Sequence, residues 1–573
     1  MKSLSIVTGI AANGLWYLAC SPQSLAFHVS ARVVASAQRR LLLRLLRRNA
    51  NTEYGLKYAF DSIRTVAEYQ ARAPLTDYED YRPLIERIGN GQPSVLTGEP
   101  ALLLEPTSGS TSATKLIPYT AALKADFQRG VSPWIFDLYS HDPRLIGGQA
   151  YWSVTPVTQR GRRTSGGLPI GFEEESEYLN RWQGAMAASV FAVPPLVKLI
   201  GEMDSFRYVT LLFLLRAPRL ALISIWNPTF LTLLTGKLED WRPKLVADIA
   251  SGEVSPPTAI EPGLLAALRK LTPPDPERAT EIEAIFRSCS DQSEIYSRLW
   301  PRLRLISCWA DANAGDYARE LVILFPQARV QGKGLLATEG FVSFPLHGRA
   351  GAALSLRSHF FEFLPVEDSP AGMVVDSARP ILAHELKAGA KYSVVITTGG
   401  GLYRYQLRDI VEVTGHYAEC PLMRFVGKDD QVSDWFGEKL NATHVERILT
   451  EELRRAAVKP SFAMLACETV GQSAAYALFI ETRGVEDRTL RSLGFRIEEA
   501  LRQNFHYDYC RELGQLAPLK VFRIEGDGSE AYLAACQIRG QRAGDIKPVA
   551  LHRLDGWSRV FRGDFIAGDD IAS

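Results

Sequence analysis

The sequence predicts an α/β fold in two unequal parts, a large N-terminal domain and a small α+β domain beyond a junction near residue 428. Three observations carry this reading. At 573 residues, 46 % of them hydrophobic, the chain is too long for one ordinary domain and apolar enough to bury a large core. Between residues 303 and 331 a strand (303–309), a helix (317–325) and a second strand (328–331) alternate, the pattern of a mainly parallel sheet. Past the junction, helix 442–457, strands 461–468 and 475–481, helix 487–504 and strand 519–525 form a second, self-sufficient set.

Composition narrows the function before any motif is read. Lys+Arg 65 against Asp+Glu 64 leaves a formal charge of +1, so no global field draws in nucleic acid or an anionic membrane. The seven cysteines (Cys20, Cys289, Cys308, Cys420, Cys467, Cys510, Cys536) stand singly, without a spacing that suits zinc, as expected of a reduced, cytoplasmic protein.

In chain order, residues 3–27 carry no charge, and Leu18-Ala19-Cys20 has the form of a lipoprotein cleavage box. The apolar run 4–20 is short for a membrane span and is broken by Gly9, Asn13 and Gly14, so a buried helix without stable membrane insertion is expected. Residues 30–49 follow a helical period, with Arg40, Arg44 and Arg48 on one face and Leu41, Leu42, Leu45 and Leu46 between them. This is a solvated face on a packed helix. Residues 51–55 and 74–87 read as turns and helix starts.

The stretch around which the chain is organised comes next: Thr107-Ser108-Gly109-Ser110-Thr111-Ser112-Ala113-Thr114-Lys115. Six hydroxyls, a glycine and a terminal lysine, entered from the apolar run 101–104, suit a loop that wraps a polyphosphate. It is not a Walker A sequence, and such clusters by themselves are more often plain turns.

Helix 121–140 and a short strand at 150–154 follow. Residues 164–172 form a glycine-bearing loop without a titratable group. The apolar stretch 208–234 is divided by Arg216, Pro218 and Arg219, so it reads as a core helix and a buried strand (220–226), and the six prolines within 255–276 mark a surface excursion. Three further stretches carry chemistry. Glu339, in Gly334-Leu335-Leu336-Ala337-Thr338-Glu339-Gly340, is a carboxylate just past a strand, placed as Mg²⁺ requires when phosphate and water complete its shell. Asp409 ends the run Thr397 Thr398 Gly399 Gly400 Gly401 Leu402 Tyr403 Arg404 Tyr405 Gln406 Leu407 Arg408 Asp409, and a fixed carboxylate there can accept two ribose hydroxyls or pair with Arg404 or Arg408. Lys547 lies in the glycine-bearing segment 540–549.

Taken together these stretches resemble the adenylate-forming (firefly luciferase-like) superfamily, and within it the Gretchen-Hagen-type acyl acid amido synthetases, the auxin-responsive promoter family. T-S-G-S-T-S-x-x-K followed by I-P-Y-T is similar to the family's phosphate loop, Thr338-Glu339 to the end of its aromatic-x-[ST]-[ST]-E element, G-L-Y-R-Y-x-x-R-D-I to its most specific motif, and residues 424–440 to its hinge. Leu335 stands where the family's adenine-side aromatic is expected.

The resemblance implies an adenylate-forming α/β architecture with a large domain 1–427 and a small mobile domain 428–573. It implies ATP and Mg²⁺ as cofactors. A carboxylic acid would be activated as acyl–AMP and passed to an amino acid or other amine. Nucleotide contacts are implied for Thr107, Ser108, Gly109, Ser110, Thr111, Lys115, Thr338, Tyr403, Asp409 and Lys428, Mg²⁺ ligation for Glu339, and catalysis for Lys547 with Glu339; the loop 164–172 would adjoin the acyl pocket. An ATP-dependent enzyme belongs in the cytoplasm. The alternatives are an acyl-CoA or acyl-thioester synthetase and a non-catalytic binder of the same fold. In the junction, Lys428 and Lys439 face Asp429, Asp430, Asp434 and Glu438, an acidic excess that favours an ammonium-bearing acceptor over a polyphosphate.

Overall fold

The computed structural model describes residues 2–106, 115–153, 162–171, 190–312, 314–369, 372–376, 380–428, 432–433, 438, 440–470, 473–512, 516–539, 541 and 546–566. Helix α1 (Lys2–Ser30) is longer than expected and continues through Pro22. Its inner side buries Ala12, Asn13, Cys20 and Phe27, but Val7, Leu15, Leu18 and Leu25 are exposed, so the expected burial holds for one face only. No helix among the described residues is long and apolar enough to cross a membrane. A turn at residues 31–33 leads into α2 (Val34–Arg48), where Leu41, Leu42, Leu45 and Leu46 are buried while Arg40 and Arg44 stay exposed and Arg48 pairs with Glu99. Short helices α3 (Glu53–Lys57) and α4 (Val66–Arg72) precede α5 (Tyr78–Gly89), which Asp77 and Asp80 close with a reciprocal capping box.

Strands β1 (Leu103–Pro106) and β2 (Leu116–Tyr119) form an antiparallel hairpin that brings Pro106 opposite Leu116. Helix α6 (Ala121–His141), capped by Thr120, then crosses to a four-stranded parallel sheet. Its strands are β3 (Gln149–Trp152), β4 (Leu220–Ser224), β5 (Leu305–Cys308) and β6 (Arg329–Gly332), paired in that order. The α/β alternation therefore gives a parallel sheet, as the pattern requires, but the sheet is small.

The larger sheet is antiparallel. After the two-strand ribbon β7 (Leu336–Ala337) and β8 (Gly340–Phe341), strands β9 (Ser343–Pro345), β10 (Ala352–Leu354), β11 (Phe360–Ser369), β12 (Gly372–Val375), β13 (Ile381–Leu382), β14 (Lys391–Thr397), β15 (Tyr405–Tyr417) and β16 (Cys420–Lys428) build eight strands in the order β12-β11-β14-β15-β16-β10-β9, with β13 beside β11. Consecutive strands joined by short turns pair antiparallel because no crossover helix intervenes.

Beyond residue 440, helices Ala442–Arg455 and Asp487–Leu501 cover a five-stranded mixed sheet. Its three longest strands are Phe462–Val470, Ser473–Glu481 and Leu516–Ile524. Buried apolar clusters fall on either side of the junction: those of the large part end at Met423, and those of the small part begin at Leu440.

Candidate active site

The hydroxyl-rich loop, with Thr107, Ser108, Gly109, Ser110 and Thr111, lies outside the described residues, as do Asp429, Asp430, Asp434, Lys439 and residues 542–545. Its anchors are nonetheless defined. The β1–β2 register fixes both loop ends on one side of the hairpin. Lys115, the first residue after it, sets its Nζ 5.7 Å from the Tyr78 ring, and the Tyr78 hydroxyl accepts from the Leu116 amide at 2.8 Å.

Thr338 and Glu339 are the two-residue turn of the β7–β8 ribbon, since Ala337 pairs with Gly340. The turn is held from two sides. The Tyr119 hydroxyl donates to the Thr338 carbonyl at 2.7 Å, and the Phe341 amide donates to His359 Nε2 at 2.9 Å. A Cβ at Gly340 would meet that same Nε2 at 2.9 Å, so only glycine allows the ribbon this close. His359 in turn faces Asp126 of α6, Nδ1 to Oδ2 3.8 Å, and Asp126 accepts from the Gly399 amide at 3.0 Å and from Arg129. Burial pushes the Asp126 carboxyl up to about 7, outweighing the Arg129 guanidinium, and pushes the His359 imidazole down to about 3. The two side chains thus stand side by side between the Glu339 turn and the glycine turn that leads into β15.

Asp409 lies on β15 opposite Lys428 of β16, and their side chains meet at 3.3 Å. The Asp409 side chain is 4 % exposed and that of Lys428 40 %, so the carboxylate is fixed while the ammonium can reach a ligand. Of the two other partners considered for Asp409, Arg404 is committed to a buried pair with Glu362 at 3.0 Å, and Arg408 lies 3.8 Å from Asp77. Burial also raises the Glu339 carboxyl above its ordinary range. Lys428 and Lys115 act against that shift and Asp409 adds to it. Glu339, Asp409, Lys428 and Lys115, four residues spread over more than 300 positions, thus share one electrostatic neighbourhood.

The Tyr403 side chain faces the core and not the solvent: it is fully buried against Tyr54 and Phe60, and its hydroxyl donates to the Leu96 carbonyl at 2.7 Å. The aromatic letters of its motif serve packing, and the Tyr81 hydroxyl bridges the Tyr403 amide and carbonyl at 2.7 and 2.8 Å. The loop 164–171 docks on the end of α5, where the Gly166 amide donates to the Gly89 carbonyl at 3.0 Å, and it flanks β1 through Leu104. Phe172 lies outside the described residues.

Lys547 sets its Nζ 3.6 Å from the centroid of Trp309 and 5.9 Å from that of Phe425. Next to it, the Ile546 carbonyl accepts from Asn227 Nδ2 at 2.9 Å. The C-terminal loop is therefore docked on the large part, three residues from Lys428 by way of Phe425. The donor chemistry fits Mg²⁺ carried on a nucleotide: Glu339 offers one carboxylate, and two ammoniums beside it suit phosphate oxygens. Asp126 and His359 are not legible as site residues in the sequence, since they sit in a helix and at a strand edge without any local motif.

The chain matches the GH3 family N-terminal domain over residues 26–330, the GH3 family central domain over 352–428 and the GH3 family C-terminal domain over 443–553. It is 24 % identical over 537 residues to a probable indole-3-acetic acid-amido synthetase, GH3.11, of Oryza sativa subsp. japonica, covering 87 % of this chain and 88 % of that one. A jasmonoyl–L-amino acid synthetase of Nicotiana attenuata is 25 % identical over 415 residues, 70 % of each chain. Among solved structures, the GH3.15 acyl acid amido synthetase superposes with a TM-score of 0.78 at 21 % identity, covering 95 % of this chain and 96 % of that one. The same enzyme in complex with 2,4-DB gives 0.80.

Proposed function

The chain belongs to the GH3 family, and from that premise we propose that it is an ATP-dependent acyl acid amido synthetase. The observation that carries the reading is the convergence of Glu339, Asp409, Lys428 and Lys115. A carboxylate is a poor acyl donor because its charge repels nucleophiles and oxide leaves badly. Its oxygen attacks the α-phosphorus of ATP, the bond to pyrophosphate breaks, and an acyl–AMP forms. The amine nitrogen then attacks the acyl carbon, sheds a proton, and AMP departs with the former carboxylate oxygen.

In this reading Asp409 accepts the ribose hydroxyls, while Lys115, Lys428, Thr338 and the loop Thr107, Ser108, Gly109, Ser110, Thr111 take the phosphates. Glu339 would hold Mg²⁺, which would supply positive charge against the negative charge on the departing pyrophosphate. Lys547 bridges the carboxylate and the α-phosphate during adenylation. A boundary at 427/428 between a large and a mobile small domain is supported by the separation of the buried clusters. Use of ATP places the enzyme in the cytoplasm.

Pyrophosphate exchange with a panel of carboxylic acids tests the first half-reaction. Exchange with at least one acid is expected, and none with any would leave a non-catalytic binder. AMP release with the active acid tests the second half. One or a few amino acids are expected to stimulate it and CoA not to; a larger stimulation by CoA would replace the amide reading with the thioester one.

A further inference from the structure

The parallel sheet ends in a feature that the nucleotide site does not use. Lys333 follows β6 directly, and Gly334, with φ +78°, swings the chain away behind it. A Cβ at Gly334 would meet the Ser343 carbonyl oxygen at 2.6 Å. The Lys333 ammonium sits among three indoles, 5.1 Å from Trp226, 5.4 Å from Trp134 and 5.8 Å from Trp152, and donates to Ser224 Oγ at 2.6 Å. These residues come from the C-terminal ends of β3, β4 and β6 and from α6, the end of an open parallel sheet where ligands bind.

Among the described residues the cage has no counter-charge but does have unmet hydrogen-bonding capacity. An ammonium carries three donors, of which Ser224 takes one. Beside it, Ser307 Oγ, in register with Ser224 on β5, and Trp152 Nε1 are buried without a hydrogen-bond partner among the described residues. Cation–π contacts offset only part of the cost of taking an ion from water, so the site is incomplete without an acceptor. Trp152, Trp226, Trp309 and Lys333 all remain partly exposed, so the cage opens outward. Trp226 and Trp309, 5.7 Å apart, form a continuous aromatic wall from Lys333 to Lys547. Lys333 lies on Trp226 and Lys547 on Trp309, so the two lysines stand at opposite ends of the wall.

We propose that Lys333, Ser307 and Trp152 bind an acceptor oxygen carried by the acid substrate at the end away from the carboxylate that is activated, so that the enzyme takes flat aromatic acids bearing a second anionic or carbonyl oxygen. This rests on the amido-synthetase reading. The indole faces hold the ring, and the three donors read its distal group.

Calorimetric titration of the full chain with benzoate against terephthalate, and with 3-phenylpropionate against its 4-carboxy derivative, tests the site without turnover. At one length or the other, the distal carboxylate is expected to tighten binding by about tenfold or more, the scale of a charge-assisted hydrogen bond. In Lys333→Met that preference disappears while the unsubstituted acid binds within about threefold of wild type, and the melting temperature holds or rises because a buried charge is gone. Equal binding of both acids by the wild type at both lengths would overturn the proposal. So would a preference that survives in Lys333→Met, or unfolding of both Lys333→Met and Lys333→Gln, which would make the lysine a structural brace. Pyrophosphate exchange separates this from the ligase reading. Distal-group preference without exchange by any acid would sink the ligase and keep the pocket; exchange with no preference would do the reverse.

Discussion

Asp409 and Glu339 lie in one electrostatic neighbourhood yet are expected to fail differently when changed. Asp409 is almost fully buried and anchored on Lys428, so its carboxylate presents a rigid acceptor, and a contact to ribose is the same in the ground and transition states. Asp409→Asn should therefore raise KM for ATP roughly 10–100-fold with kcat little changed, as expected for hydrogen bonds to a charged group. Glu339 sits at the tip of a turn, and in the proposed reaction it would hold the Mg²⁺ that offsets charge on the departing pyrophosphate. Glu339→Gln should move the Mg²⁺ concentration for half-maximal rate upward and lower kcat. Initial rates over a Mg²⁺–ATP grid decide between them, and superimposable Mg²⁺ curves for the two variants would remove Glu339 as the metal ligand.

Elements, rather than single side chains, aim these groups. The β7–β8 turn and the glycine turn ahead of β15 belong to different sheets, and each is held by one of two neighbouring buried side chains, His359 and Asp126. The Asp126 carboxyl titrates near 7 in the folded chain and near its ordinary value, below 4, when unfolded. Between those values the folded state keeps a proton that the unfolded state has lost, so Asp126 stabilises less as pH rises from about 4 to about 7. Asp126→Asn removes that titration. Relative to wild type, its unfolding free energy should improve with pH across this window, by an amount on the order of a few kcal/mol. Denaturant melts at pH 4.5, 6 and 7.5 measure it, and a difference between the two proteins that does not change with pH would show that Asp126 is ionised throughout.

At the scale of the molecule, the small part reaches the large one through Lys547 on Trp309 and Ile546 on Asn227. A lysine that arrives on a loop of the second domain can serve one half-reaction and be withdrawn for the other. Lys547→Ala is expected to reduce pyrophosphate exchange by at least about 100-fold, the range of a lost electrostatic stabiliser, while largely sparing conversion of a supplied acyl–AMP to amide. Single-turnover assays of the two halves read this directly, and equal losses in both would reject the assignment.

The sequence by itself determined the local elements and the chemistry carried by contiguous letters. The strands and helix that became β5, β6 and Ala314–Leu324 follow from hydrophobic period, and Thr338-Glu339 and Asp409 stand out because a carboxylate among glycines or after an aromatic strand is locally unusual. What it could not fix was direction and partnership. Tyr403 looked like a ligand because a motif records residue order and not which way a side chain points; only the packed core turned it inward. The same limit hid the antiparallel character of the larger sheet, which depends on which strand lies beside which. It hid Lys428 as the partner of Asp409, the link from Asp126 to His359 across 233 positions, and the cage around Lys333, whose indoles come from three separate elements. Contacts between residues far apart in the chain exist only once loop closure has been repaid by burial, and no local pattern encodes that exchange.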